Sequence, residues 1–433
     1  MLSAFVVPTV LAGMAFEAFS RSNTEKHRIL DDVVVHLPFA VDSLCRITDT
    51  GHSLNAFLNE LEMLLAGKDT VVQIVHLGDS HVQAGFYTGQ VMRLLHQAFG
   101  NAGRGWIAPL KLAKINEPKD YSITSSKVKD WIAGRCIQPV PKCAWGVGGV
   151  GIETASTTVD FTVCIAPDHG MGYAFNKVFL YRDNKAIPLL PAGEDSIAVR
   201  TAWGGETGAP HIAVDTFRVE RETNSLHLLS VPPHGFPYNL DPKTAQTPNC
   251  YYGFSLMNGN AGILYHAIGQ NGAMFRHYAN SDYFRQLALL RPSLLIITLG
   301  TNEAYAIKNL SHSMFISQLD PFIQLVKEYL PTTAILLTTP AESFRRTSQK
   351  QKGYVRNENI ALIAKAITGY AQREGLACFD LFGMTGGANS CQKWQKAGLL
   401  GRDRIHYSAA GYSEQGKLLY KAIVRLKNEK SLN

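Results

Sequence analysis

Residues 71–81 read VVQIVHLGDSH, and the other predicted elements can be placed relative to this segment. Its first seven residues are mostly apolar and β-branched with little alternation, which is typical of a parallel strand covered on both faces. Gly78 ends the run, and after Ser80 the apolar residues recur at helical spacing as far as Phe99. Ser80 is therefore predicted to lie at a strand-to-helix turn, after the first strand of a sheet. Open α/β sheets bind their ligands at that edge.

Strands and helices alternate again in the second half of the chain. Apolar runs of strand length occur at 263–268, 294–299, 334–338 and 376–381, and stretches with helical spacing occur at 315–329, 357–373 and 411–427. Repeated βα units predict a parallel sheet with helices on both faces. The fold class is therefore α/β.

The region between these two parts has a different period. From residue 158 to about 257 apolar and polar residues alternate in short runs separated by turn-rich pieces, which predicts a β-sandwich inserted into the first domain. The predicted organisation is an N-terminal extension at 1–50, a first part of the α/β domain at 51–157, the inserted module at 158–257, and the rest of the α/β domain at 258–433.

The segment 100–151 is rich in Gly, Pro and Trp and is predicted to be a long irregular segment near the site. Its tryptophans, Trp106, Trp131 and Trp145, have two interpretations. They can stack on sugars, or they can pack in the protein interior.

Composition limits the function classes. The chain has 433 residues, room for two domains, and its 42 basic and 35 acidic residues give a charge of +7 without any basic block. This scattered excess does not indicate a nucleic-acid partner. The seven cysteines form neither a metal-binding pattern nor a disulfide framework, although one or two bridges remain possible in an oxidising compartment. With no phosphate loop either, we expect no metal and no nucleotide cofactor.

The N-terminal segment Met1–Phe16 is apolar and contains Gly13-Met14-Ala15, which resembles a cleavage site between small residues. No Lys or Arg precedes the apolar run. The segment is thus either a signal segment of an exported precursor or an apolar first helix. With about 15 residues it is too short for a stable membrane span.

Three residues have the chemistry of a nucleophilic enzyme. Asp403 and His406 are three residues apart, so they can share one side of a helical turn. The acid can then accept the Nδ1 proton of His406 and turn Nε2 outward as a general base. A serine hydroxyl is a weak nucleophile without such a base. We therefore expect His406 to activate Ser80, Asp403 to orient His406, and an acyl-enzyme to form.

An acyl-transfer reaction also needs donors for its oxyanion. The candidates are the backbone N–H groups of Ser80 and Gly272 and the side-chain amide of Asn302, each after a predicted strand. Rival bases are His81, whose position next to Ser80 in sequence gives poor geometry, and His76 and His266, which fall inside strands and are expected to be packed.

Each signal has a structural alternative. Asp79 and Ser80 can simply cap a helix, residues 300–303 (GTNE) can be a helix start, and the Asp403–His406 pair can be a surface ion pair. The combination of these signals at successive strand ends favours a site.

Together, the segments GDSH at 78–81, GQNGA at 269–273, GTNE at 300–303 and DRIH at 403–406 resemble the four blocks of SGNH (GDSL-type) hydrolases, in the family's order. The resemblance covers roughly residues 70–100 and 260–425. It implies a flavodoxin-like three-layer α/β/α fold and a Ser80–His406–Asp403 esterase with the oxyanion donors named above. The usual Asp of the third block is replaced by Glu303, which we place outside the chemistry.

The chain resembles more closely the peptidoglycan O-acetylesterases of that superfamily, which share the GDSH and GTNE forms and have a β-sandwich resembling a carbohydrate-binding module between the first two blocks. This resemblance implies hydrolysis of the acetyl ester at the C6 hydroxyl of N-acetylmuramic acid, with peptidoglycan as the partner and the periplasm or cell envelope as the location. The alternatives are an esterase for other acetylated glycans such as xylan, a sugar O-acetyltransferase, and a non-catalytic glycan-binding protein of the envelope.

Overall fold

The computed structural model describes residues 33–37, 45–166, 173–192, 196–203, 208–230, 248–347 and 353–431. The predicted signal segment at 1–16 lies outside these residues. Within them, every helix is too short or too polar to cross a bilayer.

Helices and strands occur throughout the described residues. The strands are β1 (Ile47–Thr48), β2 (Val71–Gly78), β3 (Gly105–Ile107), β4 (Tyr121–Thr124), β5 (Ile132–Arg135), β6 (Val150–Thr154), β7 (Asp160–Ile165), β8 (Phe175–Asp183), β9 (Leu189–Pro191), β10 (Ser196–Trp203), β11 (Ile212–Thr223), β12 (Ser225–Ser230), β13 (Asn249–Met257), β14 (Gly262–Gly269), β15 (Leu294–Thr298), β16 (Ala334–Thr338), β17 (Phe344–Arg346), β18 (Tyr354–Arg356) and β19 (Ala377–Phe379). The α-helices are α1 (Asn55–Leu65), α2 (Ser80–Gln83), α3 (Phe86–Phe99), α4 (Phe275–Tyr278), α5 (Ser281–Leu287), α6 (Thr301–Ala306), α7 (His312–Tyr329), α8 (Asn359–Glu374), α9 (Leu381–Met384), α10 (Ser390–Lys396) and α11 (Ala409–Ser431).

The central sheet has six strands in the order β1-β19-β16-β15-β2-β14. β14, β2, β15, β16 and β19 are mutually parallel, and β1 pairs antiparallel with β19 at one edge. Counted in chain order, the five parallel strands run 2-1-3-4-5 across the sheet, which is the flavodoxin-like order. β2 was expected to be the first strand of the sheet, whereas the structure places the two-residue β1 before it. The α/β prediction is confirmed, and Ser80 follows the strand at the point where the strand order reverses.

Helices cover both faces of this sheet. Val72 and Ile74 of β2 belong to one buried cluster with side chains of α1, α3 and α11, and Val75 and Leu77 belong to a second cluster with side chains of α5, α7 and α8. Because strand side chains alternate between faces, the uninterrupted apolar run of β2 is buried on both sides. This is the predicted three-layer α/β/α arrangement.

Two further antiparallel sheets lie between β2 and β14 in sequence. One has the order β10-β11-β8-β13-β6-β5, with β3 also paired to β13, and the other has the order β4-β7-β12-β9. The sheets contact each other through Phe161 of β7, whose ring lies 5.2 Å from that of Tyr251 and 5.8 Å from that of Phe254 on β13. This contact between faces is the kind that a β-sandwich requires, and the sandwich with its boundaries at 158 and 257 stays a prediction.

The segment 100–151 differs from its predicted irregular character. It contributes β3, β4, β5 and the start of β6 to the two additional sheets, so these sheets include strands that precede the predicted module. The pairing partners are distant along the chain, for example Trp106 with Ser255, and short strands with long-range partners carry little local periodicity. Trp106 and Trp131 are only 2% and 4% exposed, so for these two residues packing is the correct interpretation.

Candidate active site

The loop after β2 places Ser80 at the C-terminal edge of the central sheet. A Cβ atom on Gly78 would lie 2.7 Å from the carbonyl oxygen of Thr298 and 2.4 Å from Val82, so only glycine fits where the strand ends. Asp79 then acts as the N-cap of α2, with its carboxylate accepting from the backbone N–H of His81 at 2.9 Å. The prediction that Asp79 caps a helix is thus correct. Ser80 is the first residue of that helix and is half-buried, so the cap does not prevent Ser80 from serving as a site residue.

Ser80, His406 and Asp403 are brought into one hydrogen-bonded line although Ser80 lies far from the other two in sequence. Ser80 Oγ lies 2.7 Å from His406 Nε2, and His406 Nδ1 lies 2.6 Å from Asp403 Oδ2. A carboxylate accepts only, so Nδ1 carries the proton and Nε2 is left to accept from the serine hydroxyl. This is the order of donors and acceptors that a serine nucleophile requires.

The loop that carries Asp403 and His406 is shaped by its own backbone. Asp403 Oδ1 accepts from the N–H groups of Ile405 and His406, both at 2.9 Å. Arg404, which lies between Asp403 and Ile405 in the chain, has a φ of +60°. Partial burial raises the pKa of Asp403, but the hydrogen bonds from the His406 ring and from these backbone groups outweigh it and hold the pKa below its ordinary value. Asp403 is therefore an anion at neutral pH and favours the Nδ1–H tautomer of His406.

Gly272 and Asn302 lie at neighbouring strand ends. Gly272 is exposed with φ of +85°, a conformation that glycine adopts without strain. Asn302 Nδ2 donates to Ala273 O and to Asp79 Oδ2, each at 3.0 Å. Asn302 thus links the residue after Gly272 to the residue before Ser80. Both of its amide hydrogens are engaged, so one of these bonds must be shared or released for Asn302 to donate to an oxyanion.

The turn at 270–272 is held from several sides by residues that the sequence did not single out. Gln83 accepts from the Asn271 N–H at 2.8 Å, and Arg135 donates to Asn271 O at 3.1 Å and to Gln270 Oε1 at 3.3 Å. Gln270 Nε2 in turn donates to Gly148 O at 3.0 Å. No sequence motif marks Arg135 or Gly148, because they come from the segment that was predicted to be irregular.

Two buried acids adjoin the site. Burial raises the pKa of Asp79 to about 7, against the lowering effect of its bonds from His81 and Asn302 and of the charge on His406. Burial also raises the pKa of Glu303 to about 7, although Glu303 accepts from the N–H of Phe275 at 2.8 Å. We predicted Glu303 to lie outside the chemistry, and its contact places it behind the turn that carries Gly272.

The rival histidines occupy other positions. His76 is fully buried, with its ring nitrogens 2.5 Å from Tyr265 Oη and 2.7 Å from Thr298 Oγ1, and the fully buried His266 lies 3.2 Å from Gln73 Oε1. Both are packed, as expected. His81 Nδ1 lies 2.8 Å from Tyr412 Oη, and its ring lies 5.1 Å from that of His406. His81 therefore neighbours the site while His406 contacts the serine.

Residues 244–413 match the family described as GDSL-like Lipase/Acylhydrolase family. This range contains Gly272, Asn302, Asp403 and His406, while Ser80 precedes it. No curated protein sequence matches this chain.

Solved structures give a broader comparison. A peptidoglycan O-acetylesterase structure is 19% identical, has a TM-score of 0.68, and aligns over 88% of this chain and 99% of its own chain. A lipase/acylhydrolase from Enterococcus faecalis is 17% identical, with a TM-score of 0.29 over 39% of this chain and 77% of its own. An acetylxylan esterase mutant from Geobacillus stearothermophilus is also 17% identical, with a TM-score of 0.29 over 37% and 73%.

The first of these similarities extends over both the α/β part and the additional sheets, since it covers most of the two chains. The chain therefore has the SGNH hydrolase fold, which confirms the fold predicted from the four sequence blocks. The family match over residues 244–413 agrees with this fold.

Proposed function

We propose that this protein is a serine esterase that removes O-acetyl groups from a carbohydrate through an acetyl-Ser80 intermediate. The observation that carries the proposal is the unbroken line of hydrogen bonds from Ser80 Oγ through His406 to Asp403, at 2.7 Å and 2.6 Å. A helix cap or a surface ion pair would need only part of this line. A pure glycan-binding protein would need none of it.

In the first half of the reaction, Ser80 Oγ attacks the carbonyl carbon of the acetyl ester and its proton passes to His406 Nε2. The imidazolium that forms is stabilised by Asp403, which accepts from Nδ1. The tetrahedral intermediate then collapses, the C–O bond to the sugar breaks, and His406 Nε2 gives its proton to the leaving sugar oxygen. The products of this step are the free sugar hydroxyl and acetyl-Ser80.

In the second half, a water molecule takes the place of the sugar. His406 Nε2 accepts a proton from the water as its oxygen attacks the acetyl carbon, and the proton then returns to Ser80 Oγ as the acyl bond breaks. Acetate leaves and the serine is restored. An acetyltransferase would use a second sugar hydroxyl at this step.

The oxyanion of each tetrahedral intermediate would accept from the N–H groups of Ser80 and Gly272 and from Asn302 Nδ2. Asn302 fits this role because its amide lies between Asp79 and Ala273, the chain neighbours of the two backbone donors. The two backbone donors are fixed in advance and stabilise developing charge without reorganisation, whereas Asn302 first shares or releases one of its present hydrogen bonds. A donor of this kind is worth about 10²–10³ in turnover.

The favoured substrate is the C6 O-acetyl group of N-acetylmuramic acid in peptidoglycan, which would place the protein in the periplasm or cell envelope. Three observations support this choice: the GDSH and GTNE forms of the sequence blocks, the fold similarity to a peptidoglycan O-acetylesterase over 88% of this chain, and the two additional sheets, one of which contacts the 270–272 turn through Arg135. Acetylated xylan is the competing substrate.

The test is acetate release by the wild type and by Ser80→Ala on O-acetylated peptidoglycan, acetylated xylan and a small aryl acetate. We expect release from peptidoglycan by the wild type and background release by Ser80→Ala. Ser225→Ala is a matched control, because Ser225 is an exposed serine of β12 in an additional sheet.

Three results would change the proposal. Release only from xylan or the aryl ester would keep the serine mechanism and replace the substrate. Transfer of acetyl to a sugar acceptor in preference to water would make the protein a transferase. Release that is equal in wild type and Ser80→Ala would refute the mechanism.

A further inference from the structure

Three side chains with metal-binding atoms converge in the larger of the two additional sheets, within the part of the chain that the structure describes. They are Cys143, Glu153 and Cys250, and their sulfur and carboxylate oxygen atoms all lie within 4.8 Å of one another. Glu153 of β6 and Cys250 of β13 are opposite each other in an antiparallel pair, so their side chains stand on the same face. The strand register therefore places two of the three ligating groups side by side.

Cys143 is brought to the pair by a segment that lies directly on the sheet. A Cβ atom on Gly134 of β5 would lie 1.9 Å from the Cys143 carbonyl oxygen, and one on Gly151 of β6 would lie 2.1 Å from the carbonyl oxygen of Ala144. The two glycines thus permit this close approach. Cys143 and Cys250 are only 8% and 4% exposed, so their thiols are buried and have little contact with oxidants in solution.

The charges around the cluster favour a cation. Asp183 directly follows Arg182 in β8. In the pairing of β8 with β13, Arg182 lies opposite Tyr251, the chain neighbour of Cys250. Asp183 also lines the cleft that Cys143 lines, so a further carboxylate lies near the cluster. Two thiols would add negative charge on losing their protons, and a bound cation would neutralise it.

We propose that Cys143, Glu153 and Cys250 bind a Zn²⁺ ion. Tetrahedral zinc holds sulfur at about 2.3 Å and carboxylate oxygen at about 2.0–2.2 Å, which places its ligand atoms roughly 3.5–3.8 Å apart. This spacing is compatible with three ligating atoms that all lie within 4.8 Å of one another. Thiolate is a ligand that selects zinc over magnesium or calcium. Binding forms two Zn–S bonds and one Zn–O bond and releases the two thiol protons to solvent.

Two of the three ligating residues lie near solvent, since Glu153 is half-buried and Cys143 borders a cleft. Cys143 lines a cleft of about 550 Å³ together with Trp145, Asp183, His211 and Tyr252. We expect an ion to reach the cluster from solvent, and a zinc ion with three protein ligands completes its tetrahedron with a water molecule.

The ion would link the additional sheet to the active site through one short segment. Cys143 opens the segment that leads to Gly148, whose carbonyl oxygen accepts from Gln270, two residues before Gly272. Zinc would tie the start of this segment to β6 and β13, and so stabilise the support of the turn that carries Gly272. Metal binding itself does not depend on the reaction of Ser80.

The experiment uses the full-length protein, reduced with a phosphine and desalted without oxygen. Zn²⁺ is titrated in competition with a chromophoric chelator, and Co²⁺ is added separately to look for thiolate-to-cobalt charge-transfer absorption. We expect one equivalent of zinc per chain, with binding at least about tenfold weaker in Cys143→Ser, Cys250→Ser and Glu153→Gln. Cys164→Ser is the matched control, since Cys164 is half-buried on β7 of the other sheet and its variant should bind like the wild type.

Several outcomes separate this proposal from its alternatives. The cobalt spectrum of the wild type tests thiolate ligation even if a cysteine variant fails to fold. Absence of stoichiometric binding by the reduced wild type, or a cobalt spectrum without the charge-transfer band, would overturn the proposal. Recovery of Cys143 and Cys250 as a disulfide that resists the phosphine would also overturn it, in favour of a covalent link. Ser80→Ala should bind zinc normally, so failure of the esterase proposal and failure of the zinc proposal are distinguishable.

Discussion

Replacing Asp79 with Asn should make stability less dependent on pH and at the same time lower the activity. The carboxyl is fully buried, and burial raises its pKa from 3.8 to about 7. The folded protein therefore retains a proton that the unfolded chain releases between about pH 4 and pH 7. Stability contributed by this group is greatest below pH 4 and is lost as the pH rises through about 7.

The size of the effect follows from the shift. The pKa of Asp79 rises from 3.8 to about 7, so at 1.36 kcal/mol for each tenfold change in the ionisation constant the ionised carboxyl costs roughly 4 kcal/mol above pH 7. Between pH 5 and pH 8, ionisation of Asp79 lowers the free energy of unfolding of the wild type by roughly 2–3 kcal/mol. Asn has no such titration, so the stability of Asp79→Asn relative to the wild type should improve by that amount over this interval.

The variant should also lose activity. The two oxygens of Asp79 accept from the His81 N–H and from Asn302 Nδ2, and an Asn side chain has only one acceptor oxygen. In Asp79→Asn the new NH₂ group would face one of these two donors. The unmade hydrogen bond should lower the free energy of unfolding by about 1–3 kcal/mol at every pH. If Asn302 moves in response, turnover should fall by about 10²–10³.

The assay is urea unfolding of the wild type and Asp79→Asn at half-unit steps from pH 5 to pH 8, with aryl acetate turnover measured at pH 8. Only the difference between the two proteins is used, because buried histidines such as His76 and His266 titrate identically in both. Asp282→Asn is the control, since Asp282 is an exposed acid of α5. A difference that stays constant within about 0.5 kcal/mol from pH 5 to pH 8 would refute the reasoning, because the carboxyl would then have an ordinary pKa.

Three other variants test the site and its surroundings. Asp403→Asn should lower kcat by about 10³–10⁴ with little change in KM, because the amide can donate to His406 Nδ1 and favour the wrong tautomer; unchanged initial rates on the aryl acetate would remove Asp403 from the triad. Asn302→Ala should lower kcat by about 10²–10³ through loss of an oxyanion donor, and near-normal turnover would exclude that role. Gly134→Ala should destabilise the protein by about 2–3 kcal/mol in urea unfolding, because its Cβ would lie 1.9 Å from the Cys143 carbonyl oxygen; a loss below about 0.5 kcal/mol would show that the segment at 143 moves aside freely.

Much of the α/β part could be predicted from local pattern. The strand at 71–78, the helix at 86–99 and the βα units of the second half have long apolar runs or clear helical spacing, and the structure has elements at all of them. The additional sheets were harder to predict, because β3, β4 and β5 have only three or four residues each and pair with partners far away in the chain. Their Gly, Pro and Trp content suggested a loop.

The candidate site divides in the same way. Ser80, Gly272 and Asn302 could be proposed because each follows a predicted strand and has recognisable chemistry. Asp403 and His406 could be proposed because an acid and a histidine three residues apart can act as a pair. The buried state of Asp79, the two acceptors of Asn302 and the support of the 270–272 turn by Arg135 could not, since each depends on which distant groups meet in space.

The parallel α/β architecture, the order of the four blocks and the residue types of the proposed triad follow from the sequence, because period and turn chemistry are local properties of a chain. The 2.7 Å contact of Ser80 with His406 and the convergence of Cys143, Glu153 and Cys250 become visible only in the folded chain. Such convergence is set by the register of long-range strand pairing and by the packing of a segment on glycines, and neither leaves a periodic signal in the sequence.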